Sequence, residues 1–274
     1  MKKKLFLSFF LIFLLIGYVL TLKALDKSKP ISLKEIKEVK RLVPIPLLKL
    51  GWAEFRGLGA DYLSLKAVLY IGEEKQKLAL KDWDYVYHLF LASQELDPYF
   101  QDPYWFVQAI FPWVVNEPKK AISFLEKGIS YRDWDWFLPY YVGIDYFYFL
   151  RDHTNAAKYL FKAAKISNNP HLATLAANIS QRARQTEITI FFLNDLYESY
   201  KRTNQEEAAK IIAKRLKAIK GVLVLEKAIK KYKTLFGKLP PNLEELVEKD
   251  IIKKLPKNPY GIPYYLKDGE IKFQ

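Results

Sequence analysis

Between residues 80 and 170 the apolar positions return with helical spacing, and the blocks they form repeat every 35 residues. Val86, Ala121 and Ala156 fall in step, as do Phe90, Leu125 and Leu160, then Ser93, Gly128 and Ala163. In each block a small or branched residue is followed four places on by a large apolar one, and three places later by Ser, Gly or Ala. These offsets put all three on one helix face. The small positions admit a neighbouring helix, and the large one fills the space between. Pro98, the turn at 131–133 and the Asn and Pro of 168–170 stop the three helices.

This register resembles the second helix of the tetratricopeptide repeat (TPR), a unit of two antiparallel helices about 34 residues long. The first helix of the unit carries an aromatic residue and, four places on, a small one. Trp105 and Ala109 match that pattern, Tyr140 and Ile144 match it loosely, and Tyr70 and Glu74 match it poorly. The resemblance implies an all-α fold, a TPR-like helical-hairpin solenoid over residues 47–221. It also implies a concave groove lined by the first helix of each unit. Carried onto this chain, the groove positions are Phe106, Ile110, Trp113 and Val114 from one unit beside Tyr141, Asp145, Tyr148 and Phe149 from the next. An aromatic groove with one carboxylate suits an extended or helical peptide that carries apolar anchors and a basic group. The alternative is that the chain's own residues 188–220 fill it.

Residues 49–72, KLGWAEFRGLGADYLSLKAVLYIG, read as one long helix packed closely at Gly51, Gly57, Gly59 and Ala60. Gly57 and Gly59 do not make a nucleotide loop, because no strand precedes them and no third Gly follows. Asp61 is either a buried, hydrogen-bonded carboxylate or a solvent-facing one. This segment, FLASQELDPYF and FLEKGISYRDWDWFLPYYVGIDYFYFL together resemble a group of membrane-anchored bacterial tetratricopeptide proteins with no assigned activity. Beyond Pro170 the array continues as helices through 185, over 188–202 and over 205–220.

At the N-terminus, three lysines precede an apolar run over residues 5–22, about long enough to span a 30 Å hydrocarbon core. No small-x-small cleavage site follows, so residues 1–22 are expected to form an uncleaved signal anchor. Residues 23–46 read as a juxtamembrane stalk, ending in an amphipathic helix stopped by Pro44 and Pro46. Flanking lysines on both sides of the run leave the charge rule undecided. The expected arrangement is a single pass of the inner membrane with the body in the periplasm.

Residues 222–274 change character: a helix, a Pro-rich turn, a short helix NLEELVEK, and a hairpin of YYL and IKF joined through Asp268 and Gly269. Tyr232, Gly237, Pro240, Leu243, Leu246, Pro256, Pro259, Gly261 and Tyr264 resemble the C-terminal motif of pseudopilins, though no prepilin cleavage motif precedes the apolar run. The appendage is expected to cap the open end of the helical stack, or else to be a separate docking site.

Charge changes this picture in one respect. The net charge is +14, but residues 47–200 sum to −2 while 1–46 and 201–274 carry +7 and +9. The array is near neutral and the ends are basic, which favours contact of the N-terminal lysines with anionic lipid. No aromatic-basic motif points to nucleic acid. The chain has no cysteine, and His88, His153 and His171 lack partners at ligand or triad spacing, so no metal, cofactor or enzymatic activity is expected. The reading is a membrane-anchored TPR scaffold for another envelope protein, in secretion, pilus or cell-wall assembly. The alternative is a glycan-binding envelope protein using the Trp/Asp cluster at 131–136.

Overall fold

The computed structural model describes residues 10–11, 13–21, 23, 43–73, 78–267 and 269–273. They divide into two compact units, Met1–Gly51 and Trp52–Gln274, and each is described by itself. In the first, residues 10–11, 13–21 and 23 have helical backbone and exposed side chains. The rest of the expected 1–22 anchor, and residues 24–42 of the expected stalk, lie outside the described residues. Among the described residues no helix is long and apolar enough to cross a membrane. Helix α1 (Ile45–Trp52) starts directly after Pro44, whose carbonyl accepts from Leu47 and Leu48 N–H at 3.0 and 3.2 Å.

Among its described residues, the regular structure of the second unit is helical apart from one small hairpin. The single helix expected over 49–72 is interrupted: a 3-10 turn at Ala53–Phe55 separates α1 from α2 (Arg56–Glu73). The break brings the Trp52 ring onto Gly59, where a Cβ would lie 2.5 Å from it. Of the four small positions expected to pack closely, Gly59 and Ala60 do so. A side chain at Gly51 or Gly57 would meet nothing within 4 Å.

Helices α3 (Leu80–Leu96), α4 (Asp102–Ile110, continued by a π turn over Phe111–Val115), α5 (Pro118–Ile129), α6 (Phe137–Tyr148) and α7 (His153–Ser167) follow in the expected order. Each packs chiefly on its neighbours in sequence. Every residue of the 35-residue register is buried: Val86, Phe90, Ser93, Ala121, Leu125, Ala156, Leu160 and Ala163 are 0% exposed, and Gly128 is buried beside them. Gly128 is small for a reason, since a Cβ there would sit 2.2 Å from the Tyr104 ring. The helices stop where Pro and Asn were expected to stop them, and Asn116 and Asn168 supply left-handed turns with φ of 60° and 51°. Tyr70 is buried on α2, while Glu74 lies outside the described residues.

Four tertiary hydrogen bonds each join residues 33 apart. Ser93 Oγ donates to Ala60 O at 2.8 Å, Tyr87 Oη to Lys120 O at 3.2 Å and Tyr159 Oη to Glu126 at 2.6 Å; Arg132 donates to Tyr99 O. Polar groups that must be satisfied between stacked helices therefore find partners about one unit away.

Helices α8 (Pro170–Arg182), α9 (Thr186–Arg202) and α10 (Glu206–Phe236) extend the stack. Helix α10 runs as one 31-residue helix through 221–222, where the appendage was expected to begin. Gly221 is there to admit Tyr264: a Cβ would come 2.3 Å from the phenolic oxygen, which donates to Ala218 O at 2.8 Å. The tail thus folds back onto α10 through α11 (Glu245–Glu248) and the hairpin β1 (Tyr265–Lys267) with β2 (Glu270–Lys272). Tyr265 pairs with Lys272 and Lys267 with Glu270, the register a two-residue turn imposes, and Gly269 has φ of 74°.

Gly221→Ala should gain up to about 1 kcal/mol of helix propensity yet destabilise the protein, because the ring of Tyr264 must leave its site. In a Tyr264→Leu background the same change should stabilise it. Chemical denaturation of the four proteins checks this, and the same sign in both backgrounds would refute the packing role.

Candidate functional site

The residues expected to line one groove are divided by the structure into two exposed aromatic sites and one buried pair. Phe106, half-buried, stacks on Phe90 with centroids 5.9 Å apart. It forms part of a cleft of about 640 Å3 between α2 and α4, lined by Leu58, Tyr62, Leu65, Val68 and Phe100, with Asp61 and Asp102 exposed at its rim. Asp61 thus takes the solvent-facing alternative.

The α2 wall exists because that helix carries two apolar stripes. Ala60, Leu63, Ala67 and Tyr70 are buried, and Tyr70 donates to Asp82 at 2.8 Å. Leu58, Tyr62, Leu65 and Leu69 form the second stripe at spacings of four, three and four, and each is at least 50% exposed. Sequence reasoning followed the glycines of this segment and missed the second stripe. The signal was there, since a helix apolar on two faces needs two neighbours.

The other aromatic site is built by Pro112. Proline has no N–H for the helical ladder, and the backbone widens into the π turn Phe111–Val115, closed by Asn116 in left-handed conformation. Trp113 and Val114 come out 54% and 66% exposed. Trp113 meets Tyr148 and Phe149 from the end of α6 at 5.2 and 4.8 Å, and the Arg151 guanidinium lies 5.8 Å from the Tyr148 ring. Ile110 is half-buried, and Tyr141 packs half-buried on Phe137 at 4.3 Å. Residues 188–220 do not fill this surface. They pack on α7, α8 and each other, Phe192 stacking on Phe161 at 4.8 Å.

Asp145 is a correction. Expected as the groove's carboxylate, it is 0% exposed and accepts from Gln108 Nε2 at 3.2 Å. Burial raises its pKa from 3.8 to about 7, against the opposing Gln108 hydrogen bond. Asp145 Oδ2 and Gln108 Oε1 are both buried without a hydrogen-bond partner among the described residues. The two side chains thus form a buried carboxyl–amide pair joined by that one hydrogen bond.

The 131–136 loop is tied down. Arg132, 9% exposed, donates to Asp135 Oδ2 from Nε and Nη2 at 3.1 and 3.0 Å, while Asp135 Oδ1 accepts Phe137 N–H at 3.1 Å and caps α6. Trp134 lies stacked on Tyr99 at 6.0 Å, with the Arg132 guanidinium 5.9 Å from its ring. Asp135 is thereby committed to structure. No protein-family model matches the chain, and no curated protein matches it either.

The buried acid sets a pH dependence. Its folded pKa lies above its unfolded value, so its contribution is fully present below about pH 4 and lost as pH rises to about 7, by roughly 4 kcal/mol at most. Asp145→Asn keeps an amide pair with Gln108 and carries no charge. It should melt higher than the native protein at pH 8 and show a smaller loss of stability between pH 5 and pH 8; parallel pH profiles of the two proteins would contradict this.

Proposed function

We propose that this chain is a membrane-anchored TPR scaffold of the bacterial cell envelope, which holds a segment of another envelope protein in the α2–α4 cleft. The helical pairs, the burial of all nine register positions and the hydrogen bonds spanning 33 residues support the repeat reading. The observation that carries the binding reading is the cleft itself. Its floor is aliphatic and aromatic, its charged rim groups are Asp61 and Asp102, and its volume of about 640 Å3 suits several side chains of a peptide. A helix or extended strand with apolar anchors and Lys or Arg beside them is the complementary occupant. The exposed Trp113–Tyr148 site offers such a segment a second aromatic anchor, with aromatic contacts worth about 0.5–1.5 kcal/mol beyond their area. The anchoring helix falls within residues 1–22 on this reading, with the body in the periplasm.

Photoreactive residues placed at Tyr62, Phe106 and Trp113 in native membranes should crosslink to one protein, through a segment rich in apolar residues and Lys or Arg. An Asp61→Lys/Asp102→Lys variant should lose that crosslink while its melting temperature changes by no more than a few degrees. Crosslinks confined to the chain itself, or a partner segment rich in acidic residues, would overturn the reading.

A further inference from the structure

At the other end of the stack, α8, α10 and the strand β2 border a half-open cavity of about 660 Å3 whose character is opposite to that of the cleft. Six cations line it: Arg182, Arg184, Arg215, Lys230, Lys233 and Lys272. Two carboxylates, Glu226 and Glu270, oppose them, and both are already engaged. Glu226 accepts from Thr186 Oγ1 at 2.9 Å, and Glu270 pairs with Lys272. The Glu270 carboxyl is held below its usual range by the Lys272 hydrogen bond, with Arg184 and Arg182 adding to the field, so these cations converge on one space. Arg215 is the most unusual of the six. It is 1% exposed, donates to the neutral amides of Asn178 and Gln181, and holds its guanidinium 4.7 Å from the Phe273 ring.

A cavity that collects six cations around a buried guanidinium focuses a positive potential inside low-dielectric walls. Such a space recognises a compact anion of more than one charge, and guanidinium with ammonium groups is the donor set that binds phosphate. Val222 and Ile229 of α10, with Ile271 and Phe273 at β2, add apolar surface to its lining. We infer that this cavity binds a phosphate-bearing ligand, its phosphate held by the Arg and Lys groups and its apolar portion lying along α10 and β2. A phospholipid headgroup and a soluble phosphate compound share this chemistry.

The full chain in a nonionic detergent is titrated calorimetrically at about 0.15 M salt, where surface charge is screened within ~8 Å. The probes are inorganic pyrophosphate, dihexanoylphosphatidylglycerol and, as the neutral comparator, dihexanoylphosphatidylcholine. Saturable binding of pyrophosphate alone assigns a soluble phosphate ligand, binding of the phosphatidylglycerol alone assigns a lipid headgroup, and either supports the site. Lys230→Gln/Lys233→Gln changes exposed cavity residues and should weaken binding at least ~10-fold, the effect of losing a charge-assisted contact. Lys217→Gln/Lys220→Gln removes the same charge from the same helix outside the cavity and should leave binding within about twofold. Absence of saturable binding of both anions, or equal weakening by the two variants, would overturn the proposal.

Discussion

The second unit depends on helices and rings approaching more closely than a β-carbon allows. At Gly128 the intruder is the Tyr104 ring, at Gly143 it is Leu160 with the Ala156 carbonyl, and at Gly221 it is the Tyr264 hydroxyl. Each intrusion fixes something beyond itself. Tyr104 reaches past Gly128 and donates to Pro98 O at 2.8 Å, tying down the turn that launches α4. Tyr264 reaches past Gly221 and holds the tail on α10. A well-packed interior has no slack to absorb an added methyl group at such points, so these small residues set interhelical distance and everything mounted on it.

With the buried face of each helix fixed in this way, the remaining faces follow. α2 presents its second apolar stripe because its first is committed to Ser93 and its neighbours on α3. The Trp113 site follows from a backbone event instead. Pro112 cannot donate to the helical ladder, and the resulting π turn redirects the two residues after it. Both aromatic surfaces are therefore consequences of packing and backbone chemistry laid down a turn or two away.

The parts legible in the sequence were those governed by local periodicity. Nine register positions, three helix stops and the hairpin register could be read because spacing alone decides which side chains share a face. What was misread depended on partners distant in sequence. Asp145 looked like a groove carboxylate because nothing nearby reveals Gln108, 37 residues earlier, as its core partner. Gly221 carried no signal in the sequence, because the ring that needs its missing side chain, Tyr264, lies 43 residues on. The α2 wall was missed because the glycines of that segment drew attention to one face, while Leu58, Tyr62, Leu65 and Leu69 formed a second stripe on another.

The charge asymmetry acquires a structural meaning from the same packing. The +9 of residues 201–274 does not spread over one solvated surface, because part of it gathers with Arg182 and Arg184 in the cavity beside α10. The tail that caps the stack is also a wall of that cavity, contributing Lys272, Glu270 and Phe273. Tyr264 and Phe273 hold the tail in place with rings 5.7 Å apart, so the hairpin, the helix beneath it and the cavity between them form as one structure. A ligand that binds only when the hairpin is docked necessarily favours the docked state, by an amount set by its concentration relative to its dissociation constant. Capping and any binding at this end are therefore thermodynamically linked: Val222, beside Gly221, lines the cavity, so loosening the Gly221–Tyr264 contact weakens whatever the cavity holds, and filling the cavity tightens the cap.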